Sequence, residues 1–432
     1  MIEQLAALPT YEVYKDSGVE WLGEIPVHWA LTRLGTRFEE RRQKVSDKDF
    51  PPLSVTKNGI LPQLDTAAKT NDGDNRKLVK KGDFVINSRS DRKGSSGVSD
   101  RDGSVSLINI VLTPYGIDSQ YCNYLLKSYV FIEEFYRMGH GIVADLWTTR
   151  YDEMKVVILG IPPLPEQTAI AAFLDRKTAQ IDQAVAIKEQ QIALLKERKQ
   201  ILIQNAVTRG LDPNVRMRDS GVEWIGEIPA HWEIKRAKYL FKEIDERSVS
   251  GEEELLSVSH MTGVTPRSEK NVTMFMAEDY TGSKTCQKGD LVFNIMWAWM
   301  GALGVSDRTG IVSSSYGVFR QLKNMFNPNY LEFLLKTTGY IEHYNKVSTG
   351  LHSSRLRFYS HMFFNMELGF PSKDEQDEIV AHIETQSAKI DQAIAIQQQQ
   401  IDKLKEYKAT LINSAVTGKI RVPVSVQVEG MR

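Results

Sequence analysis

The polar segments that follow predicted strands carry the residue types most able to bind a ligand. The segment SRSDRKGSSG comes directly after the apolar run KGDFVIN, and it contains Ser88, Arg89, Arg92 and Lys93. Its glycines and serines predict a loop. Cationic and small hydroxyl side chains are groups that contact phosphate oxygens, so this loop is a candidate phosphate-binding site, with a solvated turn as the alternative.

Further candidate segments occur in pairs, one in each half of the chain. The counterpart of the first loop is IMWAWMGALG, whose tryptophans have the protein core as their alternative location. VTKNG is paired with VSHMTG, where the Asn-Gly step marks a turn, and GHGIVADLWTTR is paired with TGLHSSRLR. The candidate residues of these segments are Lys57, Asn58, Thr148, Thr149, Arg150, His260, Thr262, Trp297, Trp299, Ser353, Ser354, Arg355 and Arg357.

The sequence lacks common motifs of nucleotide-binding and methyl-transferring enzymes. It has no Gly-x-x-x-x-Gly-Lys-Ser/Thr loop and no Asn/Asp-Pro-Pro-Tyr/Phe segment. The segment DEMK, with Asp152, Glu153 and Lys155, has a faint likeness to a nuclease metal site, so a cryptic nuclease is one competing hypothesis. The eight histidines have no ligand-like spacing, and no metal site is expected.

The composition is that of an ordinary globular chain. Of 432 residues, 41% are hydrophobic and 25% are charged, and the formal net charge is -1, so any basic surface has to be local. Without a long apolar run or a signal-like beginning, neither a membrane span nor a secretion signal is expected. Cys122 and Cys286 make no disulfide framework, which favours a reducing cytoplasm.

The chain repeats itself. DSGVEWLGEIPVHW, which begins at Asp16, returns as DSGVEWIGEIPAHW at Asp219 with twelve of fourteen positions identical. KGDFVIN is matched by KGDLVFN, and KTAQIDQAVAI by QSAKIDQAIAI. The spacing between matched segments grows by a few residues along the first part of the repeat, as insertions in surface loops would make it. The sequence therefore predicts two copies of one domain with a linker of fixed length.

The linker of each copy has the pattern of a long helix. Residues 166–207 contain neither glycine nor proline, and their apolar residues step by three and four. We expect long helices at 165–209 and 373–418 that pair antiparallel within the chain; two separate core helices or a homodimeric coiled coil are the alternatives. The seam consists of Leu174, Ile181, Val185, Ile192, Leu195, Leu202, Ile383, Ile390, Ile394, Ile401, Leu404 and Leu411.

The remaining segments, 1–160 and 212–371, are expected to be mixed α/β domains, so the predicted fold class is α+β with an internal pseudo-two-fold repeat. SVSLINIVLT is predicted to be a strand. SQYCNYLLKSYVFIEEFYRM is predicted to be one helix that buries Tyr121, Leu125, Ile132 and Tyr136, with a twin from Asn329 to about Lys346.

Taken together, these segments resemble the specificity subunit of Type I DNA restriction–modification systems. The resemblance spans nearly the whole chain, and its markers are the repeated SGVEW segments, the KGD strands, PPLPEQTAIAAFLD, PSKDEQDEIVAHI and KIDQAIAI. The second copy departs from the proline-rich PPLPEQ form and reads FPSKDEQ at the start of its long helix. The resemblance implies two target recognition domains, each reading half of a bipartite double-stranded DNA target across a gap set by the coiled coil.

The resemblance also implies partners and a division of labour. Methyltransferase subunits and a restriction/translocase subunit would dock on this chain, and S-adenosylmethionine, ATP and Mg would belong to those partners. The chain itself would be non-catalytic. The specificity chain of another multi-subunit restriction–modification system, or a coiled-coil scaffold without sequence readout, remain open as alternatives.

Identical residues cannot distinguish two different half-sites, so DNA contacts are expected where the copies differ. The candidate residues above then become candidate DNA contacts, and we predict that Arg89→Ala or Arg355→Ala weakens DNA binding without unfolding the chain. The repeated Trp21, Trp29, Trp224 and Trp232 are instead expected to anchor each domain to its long helix.

Overall fold

The computed structural model describes residues 8–63, 72–141, 147–270, 279–350 and 356–423. The chain divides into two compact units: unit 1 comprises residues 1–190 and 397–432, and unit 2 comprises residues 191–396. Two long helices, Leu164–Arg209 and Lys373–Val416, each contribute residues to both units. Their bounds differ by one or two residues from the predicted ranges.

Unit 1 contains thirteen described strands and three short described α-helices besides its share of the long ones. The strands are β1 (Tyr14–Asp16), β2 (Glu24–Pro26), β3 (Ala30–Arg33), β4 (Phe38–Glu40), β5 (Lys44–Val45), β6 (Leu53–Thr56), β7 (Gly59–Pro62), β8 (Arg76–Val79), β9 (Phe84–Asn87), β10 (Ser96–Val98), β11 (Gly103–Val105), β12 (Asn109–Pro114) and β13 (Ile158–Ile161). The helices are α1 (Ser119–Lys127), α2 (Tyr129–Arg137) and α3 (Tyr151–Met154), and α4 is the long helix Leu164–Arg209.

Among the described residues, unit 2 repeats this order without a counterpart of the short strand β5. Its strands are β14 (Met217–Asp219), β15 (Glu227–Pro229), β16 (Glu233–Arg236), β17 (Phe241–Glu243), β18 (Leu256–Ser259), β19 (Gly263–Pro266), β20 (Lys284–Cys286), β21 (Leu291–Phe293), β22 (Leu303–Val305), β23 (Gly310–Val312), β24 (Gly317–Gln321) and β25 (Glu367–Phe370). Its helices are α5 (Pro328–Leu335), α6 (Thr338–Val347) and α7 (Ser360–Asn365), and α8 is the long helix Lys373–Val416.

Each unit is centred on an antiparallel four-stranded sheet with the same strand order. The order is β10-β9-β12-β4 in unit 1 and, read from the opposite edge, β17-β24-β21-β22 in unit 2. All four residues of β9 are buried. Phe84 and Ile86 belong to the large core on one face, and Val85 belongs to a smaller core on the other face. Alternate side chains of a strand point to opposite faces, and both faces of β9 are covered by a core. This is why the segment KGDFVIN contains an uninterrupted apolar run.

Two sequence predictions about local structure are wrong. SVSLINIVLT is not one strand, because residues 106–108 interrupt it between β11 and β12. The predicted single helix is two helices separated at Ser128, whose hydroxyl donates to the carbonyl of Leu125 at 2.7 Å and accepts from the amide of Phe131 at 3.3 Å. The twin segment breaks at Thr337, whose hydroxyl likewise donates to Leu334. A side chain that bonds its own backbone competes with helix continuation.

The long helices pair antiparallel within each unit. In unit 1, Lys188 of α4 donates to Gln397 of α8 at 3.1 Å, while Asp182, one and a half turns earlier, accepts from Lys408 at 2.6 Å. The lower residue number on α4 therefore pairs with the higher residue number on α8, as in an antiparallel pair. In unit 2, Lys199 and Asp391 form the repeat-equivalent ion pair at 2.7 Å. Each of the twelve predicted seam residues is buried or half-buried.

Within the described residues, no helix is long and apolar enough to span a membrane.

Candidate nucleic-acid interface

A groove of about 600 Å³ in unit 1 collects the residues most suited to a polyanion. Its walls come from the end of β4, from β8, and from the loops around residues 88, 108 and 150. Five cations and two carboxylates line it, so its charge is positive in a chain of nearly zero net charge. These residues are Arg42, Lys44, Lys77, Arg89, Arg150, Glu40 and Asp152.

Two of the loops proposed from the sequence meet in this groove. The amide of Thr149 donates to the carbonyl of Ser88 at 3.0 Å, and the amide of Ser90 donates to Trp147 at 2.9 Å. Arg89 and Thr148 form an isolated antiparallel bridge. We call this paired backbone, residues 88–90 with 147–149, the strap. It joins segments that lie about sixty residues apart in the sequence.

Of the candidate residues on the strap or directly after it, some are buried and support its backbone, and the others are available to the groove or to solvent. Thr149 is fully buried, and its hydroxyl donates to the carbonyl of Phe135 at 2.9 Å. Ser88 is also buried. Thr148 is half-buried and lines the groove. Arg89 and Arg150 are exposed, and neither guanidinium has a hydrogen-bond or ion-pair partner among the described residues.

The floor of the groove is a glutamate shared by two cations. Glu40 Oε1 pairs with Lys77 at 3.0 Å, and its Oε2 pairs with Arg42 at 2.7 Å. Lys77 also donates to the carbonyl of Asn109 at 2.8 Å. Sequence reasoning missed this pair, although Glu40 and Lys77 recur in the second copy as Glu243 and Lys284 and thus carried a signal.

The other candidates of unit 1 do not line the groove. Lys93 forms an ion pair with Glu133 at 2.6 Å and borders a separate hollow near Trp21. Arg92 is exposed, with Asp91 at 3.7 Å. Lys57 and Asn58 lie exposed at the tip of the β6–β7 hairpin, where Lys127 of α1 donates to the Lys57 carbonyl at 3.3 Å.

In unit 2, the candidates Trp297 and Trp299 are not core residues. The Trp297 side chain is 46% exposed and stacks on the half-buried Trp299 at a centroid distance of 5.9 Å. Trp297 directly precedes the short 3-10 helix Ala298–Met300, which contains Trp299 and lies between β21 and β22, and Gly301 ends this helix with a positive φ of 79°. An aromatic pair is therefore presented at a loop, where it can contact a ligand.

The remaining candidates of unit 2 are distributed over two loops. His260 and Thr262 are exposed at the β18–β19 hairpin, where the amide and hydroxyl of Thr262 bond the Ser259 hydroxyl. Arg357 is half-buried and donates to the carbonyl of Leu356 at 3.2 Å. The candidates Ser353, Ser354 and Arg355 lie outside the described residues.

The acidic side chains of the DEMK segment bond to neighbouring residues of the short helix α3. Asp152 pairs with Lys155 at 2.6 Å, and Glu153 accepts from the amide of Arg150 at the start of α3. Over the described ranges, no group of three histidine, cysteine or acidic residues could hold a metal ion. Nothing in this arrangement favours a nuclease centre.

The repeated tryptophans divide into two roles. Trp29 donates to Glu166 at 3.0 Å, and Trp232 donates to Glu375 at 3.1 Å, so each ties its domain to the first turn of a long helix, as expected. The expectation is wrong for the other two. Trp21 packs edge-on against Phe131 of α2, and Trp224 stacks on His343 of α6, because these side chains point into their own domains.

The comparisons with known proteins agree on one kind of protein. No family model matches the chain. The Type I restriction enzyme MjaVIII specificity subunit of Methanocaldococcus jannaschii is 24% identical over 280 aligned residues, which cover 61% of this chain and 62% of that protein. The chain thus spans less than two thirds of the length of this curated relative.

Two solved structures have a similar fold. A chain from a study of complex assembly and conformational transition of the type I R-M system matches with a TM-score of 0.65 and 14% identity, over 91% of this chain and 98% of that one. The HsdS subunit from Thermoanaerobacter tengcongensis matches with a TM-score of 0.51 and 14% identity, over 92% and 98% of the two chains. In sequence, this chain is similar to a specificity subunit of a Type I restriction enzyme, and it shares its fold with the HsdS subunit.

Proposed function

We propose that this chain is the DNA-reading subunit of a Type I restriction–modification complex. Each unit reads one half of a bipartite double-stranded target, and the paired long helices set the number of unread base pairs. The observation that carries the proposal is the groove of unit 1, where the unpaired guanidiniums of Arg89, on the strap, and Arg150, directly after it, line a groove with five cations and two carboxylates. Guanidiniums without internal partners suit phosphate oxygens and guanine edges.

The chain acts without catalysis of its own in this proposal. The DEMK carboxylates support a helix turn, and the cysteines are buried thiols. Methyl transfer and cleavage, with their S-adenosylmethionine, ATP and Mg, belong to methyltransferase and restriction subunits that assemble on this chain. A specificity chain of a different multi-subunit system would share this groove, since the partners define the system.

The test is co-expression of the chain with a methyltransferase subunit of a Type I system, followed by sequencing of modified bases in the host DNA. One split motif methylated on both halves supports the proposal and reveals both half-sites and the gap. A stable complex that leaves the DNA unmodified contradicts sequence readout and favours the scaffold alternative.

A second experiment addresses the groove directly. Binding to a duplex carrying the motif is measured at one salt concentration for Arg89→Ala, Arg150→Ala and the control Arg101→Ala. Arg101 is paired with Asp100 at 2.7 Å and lies outside the groove. Loss of affinity in the first two with no change in the control supports the assignment, and circular dichroism checks that all variants are folded.

A further inference from the structure

The two units share the backbone frame around the groove. In unit 1 the Thr149 amide donates to Ser88, and in unit 2 the repeat-equivalent Phe358 amide donates to the Ile295 carbonyl at 2.9 Å. The isolated bridge between His140 and Thr148 is repeated between Thr349 and Arg357. Positions in the two units can therefore be compared one by one.

The floor of the groove is retained in unit 2. Lys284 lies 3.6 Å from Glu243, as Lys77 lies 3.0 Å from Glu40. Both lysine side chains are largely buried, at 15% and 8% exposure. A cation held against a glutamate at the end of the central sheet is thus common to both copies.

The exposed residues around the floor, which we call the rim, differ in chemical type between the two units. The positions of the unpaired Arg89 and Arg150 are occupied in unit 2 by Met296 and Tyr359. Tyr359 is 45% exposed and stacks near His361, and the exposed Trp297 follows Met296 directly. Arginine contributes charge at this rim in unit 1, whereas exposed aromatic surface takes its place in unit 2.

Among the described residues, the cations at the corresponding positions of unit 2 have bonding partners. Asp245 stands where unit 1 has Arg42, and it pairs with Arg247 at 2.6 Å. Arg247 is the counterpart of Lys44, whose ammonium has no hydrogen-bond or ion-pair partner among the described residues of unit 1. Arg357, at the place of Thr148, is half-buried and bonds a neighbouring carbonyl.

We infer that the two units hold DNA by different chemistry: Arg89 and Arg150 of unit 1 bind backbone phosphates, whereas Trp297 and Tyr359 of unit 2 contact sugars and bases through their rings. This inference rests on the proposed function. Phosphate contacts release counterions and make affinity depend on salt, whereas apolar ring contacts with sugars and base edges of a duplex release none. Unit 1 therefore carries the larger share of the salt dependence of binding.

The experiment measures the slope of log affinity against log salt concentration, using the full chain with its methyltransferase and a duplex carrying the methylated motif. Arg89→Gln/Arg150→Gln is expected to reduce the magnitude of the slope by about 1.8, since each phosphate contact contributes about 0.9. Trp297→Ala/Tyr359→Ala is expected to weaken binding about 10-fold at every salt concentration with the slope unchanged, because apolar contacts with sugars and base edges displace no counterions. Arg101→Gln is the control that changes neither quantity.

A gain of charge provides the converse test. Met296→Arg places a guanidinium at the position of Arg89 and is expected to steepen the slope by about 0.9. If the wild-type complex neither binds nor methylates DNA, the proposed function fails. If it binds, but the unit 1 and unit 2 double variants change the slope equally, the division of chemistry between the units is overturned while the DNA-reading function stands.

Discussion

The indole Nε1 of Trp29 donates a 3.0 Å hydrogen bond to Oε1 of Glu166, a residue in the first turn of the long helix α4. The same carboxylate accepts from the His28 ring at 2.8 Å and from the Tyr11 hydroxyl. Glu166 is 7% exposed and Trp29 is fully buried. One buried acid thus fixes the angle at which the domain of unit 1 joins its helix, and its charge suits the positive end of that helix.

Glu166→Ala is expected to destabilise unit 1 by about 1–3 kcal/mol, because the buried Trp29 indole loses its acceptor and cannot reach water. Glu166→Gln keeps an acceptor oxygen and is expected to cost less. Urea unfolding followed by tryptophan fluorescence measures both. Equal stability of the alanine variant and the wild type would show that the indole finds another partner.

The repeat-equivalent substitution Glu375→Ala in unit 2 is expected to cost less than Glu166→Ala. The Glu375 side chain is 26% exposed, against 10% for Glu166, so water can replace the lost acceptor more easily. Unfolding of the two variants under identical conditions gives the comparison. A larger loss for Glu375→Ala would contradict this account of the joint.

The seam allows a second matched comparison. Leu411 is fully buried in unit 1, whereas its repeat equivalent Leu202 is half-buried in unit 2. Leu411→Ala is expected to lower the free energy of unfolding by about 2–5 kcal/mol, as truncation in a packed core does. Leu202→Ala is expected to cost distinctly less. Calorimetry on both variants decides the matter, and equal losses would mean that the two seams are equally well packed.

The repeat made the architecture predictable from sequence. The matched segments predicted two domains and two long helices. The apolar residues at steps of three and four predicted the seam, because helix geometry fixes which side chains share a face. The break at Ser128 was not predictable in this way. Apolar residues continue on both sides of it, and the hydroxyl that ends the helix leaves no mark in the hydrophobic pattern.

The groove was predictable only as a set of loops. Ser88 and Thr149 were both candidates, but their meeting depends on a backbone hydrogen bond between distant segments. The same long-range pairing buries Thr149 and turns it into a support. Lys93 was grouped with Arg89 by sequence, yet its ion pair with Glu133 of α2 places it on another surface. Local composition cannot report such contacts.

The thiols provide a prediction about pH. Burial raises the pKa of the Cys286 thiol to about 11, and burial also raises the pKa of Cys122. Folded protein at pH 8 should therefore resist alkylation at both cysteines, whereas urea-unfolded protein should react. Mass spectrometry after iodoacetamide treatment measures this, and rapid modification of the folded chain would contradict the burial.

The same shift has a defined sign for stability. A raised thiol pKa means that the folded state holds the proton more tightly than the unfolded chain, in which the thiol pKa is about 8.5. The resulting stabilisation is complete below that pH and is lost as pH rises towards about 11. Cys286→Ala should therefore lose less stability than the wild type between those pH values, as measured by urea unfolding at each pH.

The buried aspartate of the KGD strands gives the most specific prediction, because the two copies neutralise it from different strands. Asp83 pairs with Arg41 at 2.7 Å, and Thr113 bonds both. In unit 2 the corresponding Asp290 pairs with Arg320, which stands at the position of Thr113, and Ile244 stands at the position of Arg41. The arginine has moved to the neighbouring strand while the carboxylate stayed in place.

Arg41→Ile is expected to destabilise unit 1 by about 3–5 kcal/mol, because Asp83, which is 2% exposed, is left without its counter-charge. Adding Thr113→Arg reproduces the arrangement of unit 2 and is expected to recover most of the loss. Asp83→Asn in the Arg41→Ile background should recover part of it by removing the buried charge. Urea unfolding of the three variants tests the scheme: if Thr113→Arg gives no recovery, the two strands are not interchangeable sources of the arginine, and the equivalence of Thr113 and Arg320 is only positional.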